Sequence, residues 1–405
     1  MAKQTFAIVG AGVAAASAAT TLRESGFDGR LVMIGAESDA PYNRPTLSKE
    51  RLRGELTDEQ TALHPPADYQ SKDIELLLEH RVQHVGVAEK IITLADKSQI
   101  HYDRVLVATG AHVRKLDAPG ADLPGVHYLR SLRDCASLAD VLKARPRVLV
   151  VGTGFIGCEV AASARSVGCE VTLVGPSAPL AHVLGPEMGE LYTGYHRSSG
   201  VTVVTGTYVE RFEGDGRLRS ASLFDGTRIE CDVAVIGIGV QPSIDVLRGE
   251  PVEIGDGILI NEFGQSSVPS VYAAGDVALS WSPRYGKRLR VEHFDNAQRQ
   301  AVVVAKAMLG PSDPYNPIPS FWSDQYSYGL QYRGHAPAWD SLIFRGDKAA
   351  GKFSAFYMKD GALQAVCSVN RYKENSAARH LIGKRVDPQI LADENADLKE
   401  VQVDQ

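Results

Sequence analysis

Short apolar runs closed by glycine recur along the chain. Phe6-Ala7-Ile8-Val9 stops at Gly10, and an alanine-rich stretch then leads to a second apolar run at 31–34, which predicts strand, helix, strand. The pattern repeats: 147–151 is apolar, glycines follow, 156–167 has helical spacing, and 170–174 is apolar again. Two βαβ units are therefore expected. Between them, 104–110 predicts a strand ending in glycine, and the Pro/Gly-rich 118–125 predicts an interdomain connection. A strand over 232–239 extends the second unit until Gln241-Pro242 breaks the chain. Residues 270–276 predict one more strand, ending in Gly275-Asp276 and leading to a helix over 296–309. Beyond Pro311, Pro314, Pro317 and Pro319, aromatic and polar residues alternate, as in Phe353-Ser354-Ala355-Phe356-Tyr357. That alternation predicts an antiparallel sheet and a third, α+β domain in the last ~80 residues. The acidic stretch 391–405 lacks apolar periodicity and is expected to be loose.

Length and composition narrow the class. The 405 residues suffice for two or three domains at about 150 residues each. Hydrophobic residues make up 44% and charged residues 23%, an ordinary globular balance. A net charge of −6 gives no bulk drive toward nucleic acid. No apolar stretch reaches the roughly 18 residues of a membrane span. The five cysteines, Cys135, Cys158, Cys169, Cys231 and Cys367, form no C-x-x-C pair, as expected of reduced thiols. The first apolar run is too short for a secretory signal. These features predict a soluble, cytoplasmic protein with no nucleic-acid or membrane partner; whether it is a monomer or a homodimer is not written in them. His80 and His84 are four apart, but the Val82 and Val85 alternation predicts a strand that holds them roughly 13 Å apart, so no metal site is expected.

Gly10-Ala11-Gly12-Val13-Ala14-Ala15 follows a predicted strand and opens a helix, the context a dinucleotide fingerprint needs: glycines allow a tight turn and let backbone N–H groups approach a pyrophosphate. Glu37, just past the second strand, can accept a hydrogen bond from a ribose hydroxyl. Gly152-Thr153-Gly154-Phe155-Ile156-Gly157 is the full fingerprint in the same context, with Glu159 in the following helix. Where an acid would select the unphosphorylated ribose, this second unit reads Gly175-Pro176-Ser177, neither an acid nor an arginine.

Together with Ala108-Thr109-Gly110, Ala274-Gly275-Asp276 and Arg44-Pro45-Thr46-Leu47-Ser48-Lys49, these motifs resemble the flavin-dependent ferredoxin reductases that serve Rieske-type aromatic dioxygenases and bacterial cytochromes P450. The likeness extends to Phe321-Trp322-Ser323-Asp324-Gln325 and to 292–298. It implies an α/β fold of two Rossmann-like dinucleotide-binding domains, glutathione-reductase-like, plus a C-terminal α+β domain. FAD would occupy a discontinuous domain of residues 1–111 and 250–320, NADH (or NADPH) residues 112–249, and residues 321–405 would close over the flavin. The resemblance implies that Gly10, Gly12, Glu37, Arg44, Lys49, Ala108, Arg130 and Asp276 contact FAD. It extends the cofactor-binding set to Ala14, Val82, Thr109, Gly110, Gly275, Glu292, His293 and Trp322. In and after the second fingerprint the set holds Gly152, Gly154, Phe155, Ile156, Gly157, Glu159 and Gly239.

The catalytic set so implied is Lys49 near the flavin, Glu159 paired with it, and Trp322 at the flavin edge where a partner's iron–sulfur cluster approaches. Arg284, Lys287, Arg288 and Arg290 form a local basic cluster that could steer an acidic ferredoxin or simply decorate a solvated hairpin. Residues 42–49 contain no cysteine, so thiol redox chemistry is not expected. The expected reaction takes hydride from NAD(P)H onto FAD and passes single electrons to a [2Fe-2S] ferredoxin. An NADH oxidase, a rubredoxin or nitrite-reductase partner, and a flavin-bound interaction protein resembling apoptosis-inducing factor stay open as alternatives.

Overall fold

The computed structural model describes residues 3–402. Strand β1 (Thr5–Val9) runs into helix α1 (Val13–Glu24), strand β2 (Arg30–Ile34) and, later, strand β3 (Arg104–Val107). The second unit follows as β4 (Arg147–Val151), α2 (Phe155–Ser166), β5 (Glu170–Gly175) and β6 (Val233–Ile236). The chain then returns with β7 (Val271–Ala273) and α3 (Phe294–Ala307), before β8 (Ser320–Gln325) and β9 (Tyr328–Gly334) open a third sheet.

The first lobe is a parallel sheet in the order β7, β3, β1, β2 and Ile74–Leu77. The second is a parallel sheet of Val201–Thr205, β5, β4, β6 and Val126–Tyr128. Continuous apolar runs suit these strands because both faces of a parallel sheet are covered. Ala14, Ala15, Ala18 and Ala19 on α1 are buried, and α1 packs against α3, which buries Ala297, Ala301 and Ala305. Where the chain leaves the first lobe and later re-enters it, Ala111–Val113 and Val240–Pro242 pair as a two-stranded antiparallel ribbon.

The third sheet is antiparallel, ordered β8, β9, Ala362–Val369, Lys352–Lys359 and Ser341–Asp347. One face joins the second lobe's core, where Tyr357 donates to the Leu184 carbonyl at 2.9 Å. The other face is covered by a cluster that includes Leu381, Leu391 and Leu398.

Two sequence expectations need correction. The acidic stretch is not loose as far as it is described. Leu391 and Leu398 are buried, and Arg345 bonds the carbonyls of Glu394 and Ala396 at 3.2 and 2.8 Å. A few well-spaced leucines anchor it without producing a recognisable period, and residues 403–405 lie outside the described part. Nor do His80 and His84 share a strand: His84 lies in Val82–Gly86, whereas His80 precedes it.

Leu398→Ala should lower stability by about 2–4 kcal/mol in denaturant unfolding. A change within about 0.5 kcal/mol, as for an ordinary surface site, would show that the docked tail contributes nothing.

Candidate active site

The first glycine of each fingerprint is required by close approach. A Cβ on Gly10 (φ +120°) would lie 2.2 Å from the Ala108 carbonyl oxygen, and one on Gly152 (φ +116°) 2.2 Å from that of Gly237. Gly12 and Gly154, in contrast, face open space. They are the N-caps of α1 and α2, neither of which has a side-chain cap or an acidic residue in its first turn. The helix Leu132–Leu142, away from these turns, is capped by a Ser131/Asp134 box. Both fingerprint helices therefore present free N–H groups and an unneutralised positive dipole end, which is what a pyrophosphate requires.

A cavity of about 850 Å³ opens beside the first fingerprint and reaches the second lobe. From the first lobe it is lined by Gly10, Gly12, Ala14, Glu37, Arg44, Lys49, Val82, Ala108, Thr109, Gly110, Gly275, Asp276, Glu292 and His293, and Arg130 reaches it from just past the Val126–Tyr128 strand of the second sheet. Phe155, Ile156 and Glu159 reach it from α2, and Trp322 from β8. Gly152, Gly154, Gly157 and Gly239 do not line it. Gly157 instead abuts the turn itself, since its Cβ would fall 1.9 Å from the Gly152 carbonyl oxygen.

Two charged groups organise the first-lobe wall. Glu37 receives Arg44 at 2.9 Å and the Tyr42 hydroxyl at 2.7 Å, while Arg44 also bonds the Arg130 carbonyl. Burial, with the Glu37 carboxylate alongside, pushes the Tyr42 phenol well above its ordinary range, so it remains a donor. Arg130 in turn pairs with Asp276 at 3.1 Å. Burial also pushes His293 down to about 4, leaving a neutral ring on the cavity wall, 4.7 Å from Phe321.

Deeper, Lys49 Nζ lies 3.3 Å from Glu159 Oε2, with side chains only 5% and 4% exposed. Ser48 Oγ donates to the same oxygen, and Ser323 Oγ donates to Glu159 Oε1 at 2.8 Å. Ser163, one turn along α2, donates to the Ser48 carbonyl at 2.7 Å. The carboxylate is therefore held by residues of both lobes and of the third sheet. Phe155 and Phe321 meet edge to face at 4.9 Å beside it.

Sequence reasoning missed Ser48, Ser323, Tyr42 and Phe321. Ser48 and Ser323 lay inside quoted motifs, but a serine next to a lysine or a tryptophan carries no signal that it faces a carboxylate. The basic cluster is also dispersed. Arg290 is paired with Asp256 and Glu292, and Arg288 bonds the Ile260 carbonyl at 2.7 Å. Arg284 instead borders a separate cleft. The five cysteines are free and buried, and none lines the cavity among the described residues. Burial raises the Cys158 thiol far above its ordinary range, which leaves it inert at neutral pH.

Two parallel nucleotide-binding lobes sharing one cavity define a pyridine-nucleotide flavoprotein oxidoreductase. The profile of the family described as pyridine nucleotide-disulphide oxidoreductase matches residues 4–301, and that described as reductase C-terminal matches 320–402. The biphenyl dioxygenase system ferredoxin–NAD(+) reductase component of Paraburkholderia xenovorans (strain LB400) is 35% identical over 384 residues, 94% of each chain. The ferredoxin reductase for the CYP199A2 system from Rhodopseudomonas palustris superposes with a TM-score of 0.94 at 35% identity, covering 98% of this chain and 99% of that one. Putidaredoxin reductase, in its covalent complex with putidaredoxin, superposes with a TM-score of 0.95 at 34% identity, covering 99% and 98%. The chain belongs to the pyridine nucleotide-disulphide oxidoreductase family and, within it, to the ferredoxin reductases, whose cofactors are FAD and NAD(P)H.

Lys49→Met strands a buried carboxylate and should cost about 3–5 kcal/mol in denaturant unfolding. The double variant Lys49→Met/Glu159→Gln should recover much of that loss. Strictly additive losses in this double-mutant cycle would show that the two groups do not interact.

Proposed function

We propose that this protein is an FAD-dependent NAD(P)H:ferredoxin reductase of a cytoplasmic oxygenase system. It takes hydride from a nicotinamide dinucleotide and delivers electrons singly to a [2Fe-2S] ferredoxin. The observation that carries this reading is the meeting of elements from both fingerprinted lobes on one cavity, floored by the buried Lys49–Glu159 pair and free of cysteine among its described lining residues.

The fit to FAD rests on the uncapped start of α1, the side-chain-free Gly10 and Gly12, and the size of the cavity. Residues 1–111 and 250–320 would hold FAD, 112–249 the nicotinamide nucleotide, and 321–405 the cover. Arg44 and the α1 N-terminus neutralise pyrophosphate charge, while Glu37 and Asp276 accept hydrogen bonds from sugar hydroxyls. Lys49 keeps a cation where reduction places negative charge, and Glu159, held by two serines, orients the incoming nicotinamide. The bound flavin supplies the conversion of a two-electron donor into one-electron deliveries. The protein's part is positioning, which needs no acid–base pair of its own. NADH is the donor we assign; Gly175-Pro176-Ser177 brings neither an acid that would select it nor an arginine that would select NADPH, so NADPH is accepted as well.

Trp322, 37% exposed, marks the exit toward the ferredoxin. Ser320, two residues earlier, donates to Asp295 at 3.0 Å, and Asp295 pairs with Arg299 at 3.2 Å. Arg299 borders a cleft of about 900 Å³ whose charged lining is Arg284, Arg299, Arg379, Lys384 and Lys399, with His380 beside them. No acidic residue lines it among the described residues, so it complements an acidic partner.

NADH-driven cytochrome c reduction should be strongly stimulated by an acidic [2Fe-2S] ferredoxin and should weaken as salt rises. Equal slow rates with and without ferredoxin would favour the interaction-protein alternative, and rapid oxygen consumption without ferredoxin the oxidase. Trp322→Ala should slow ferredoxin reduction by about tenfold or more, the cost expected of a tryptophan hot spot. Anaerobic flavin bleaching by NADH should fall by less than ferredoxin reduction in that variant. A parallel fall in both steps would place Trp322 in the flavin site rather than on the partner's path.

A further inference from the structure

The two lobes can be compared residue by residue, because their strand registers coincide. Val9 pairs with Ile34 in the first lobe, and Val151 pairs with Val174 in the second. The residue after each second strand partner is therefore Gly35 in one lobe and Gly175 in the other. Each glycine lies over the residue between the first two fingerprint glycines. A Cβ on Gly35 would meet the Ala11 methyl at 2.6 Å, and one on Gly175 would meet both Thr153 Cγ2 and Oγ1 at 2.8 Å.

Two residues further along, the lobes diverge. The first lobe carries Glu37, braced by Arg44 and Tyr42 and facing the cavity. The second carries Ser177, partly exposed, on a loop clasped to the fingerprint by the Leu180 N–H bonding the Thr153 carbonyl at 2.8 Å. The Thr153 hydroxyl itself has no hydrogen-bond partner among the described residues. It occupies the space from which an acidic side chain at 175 would have to start.

We propose that the adenosine ribose of the pyridine nucleotide is read on the second lobe by the uncharged pair Thr153 and Ser177, with Thr153 enforcing glycine at 175, so that a 2′-hydroxyl and a 2′-phosphate are both accepted. The inference rests on the reading that the second lobe binds NAD(P)H, and it adds which residues set the choice between the two forms. A hydroxyl donates or accepts as the ligand demands. A carboxylate only accepts, and it repels a phosphate at hydrogen-bond range. Thr153 and Gly175 are therefore coupled: an acid at 175 requires a smaller residue at 153.

Calorimetric titration of the flavin-loaded protein with NAD+ and NADP+ tests this without turnover. Wild-type dissociation constants should agree within about tenfold. Ser177→Glu, on a partly exposed loop, should weaken NADP+ by about tenfold or more relative to NAD+, as one like charge near a phosphate implies. Gly175→Asp should weaken both ligands. Thr153→Gly/Gly175→Asp should restore NAD+ and keep NADP+ weak. A wild-type preference beyond about tenfold, or an unchanged ratio in Ser177→Glu, would overturn the proposal. So would Gly175→Asp binding as well as the double variant. Failure of the wild type to bind either nucleotide would overturn the second-lobe reading itself, and this inference with it.

Discussion

The Glu159 carboxylate is 4% exposed and accepts from Lys49, Ser48 and Ser323, contributed by two other parts of the chain. A buried carboxylate is costly unless it is paired and its remaining lone pairs are filled. These three partners come together only when the 3₁₀ turn at Arg44–Ser48, α2 and β8 are all in place. The charge therefore ties first lobe, second lobe and third sheet into one arrangement. It also puts the cavity floor at their junction, with Phe155 and Phe321 in edge contact beside it. Satisfaction of one carboxylate and assembly of the site are the same event.

The fingerprints show a different compromise. A glycine N-cap in place of a capping side chain forgoes roughly a few tenths of a kcal/mol, and α1 and α2 both forgo it, whereas Leu132–Leu142 is closed by a full capping box. The glycines beside those starts hold backbone oxygens so close that no side chain fits. Local stability is given up at the two fingerprint turns and retained at Leu132–Leu142.

The family is described by its disulphides, yet no cysteine of this chain lines the cavity among the described residues. The turn before Lys49 has no cysteine, and the five thiols are buried and free. Acids neutralise part of the sequence-local basic cluster on its hairpin, while arginines and lysines from distant segments gather in a cleft beside the Trp322 strand.

The glycine fingerprints, the strands that precede them and the Arg44–Lys49 string were legible in the chain because each is a local demand. A turn needs glycine, a doubly covered strand needs an unbroken apolar run, and both can be read within about ten residues. Ser48 and Ser323 were not legible as partners of Glu159, because they lie 111 and 164 positions from it and nothing marks a serine as facing inward. The docking of Leu391 and Leu398 was hidden for the same reason, since a core completed by isolated residues has no period. Sequence alone settled the two glycine turns and the absence of any cysteine at 42–49. Which polar groups enclose the buried charge, where the cations gather and what the tail covers were decided by the tertiary structure, because those energies belong to contacts between remote segments.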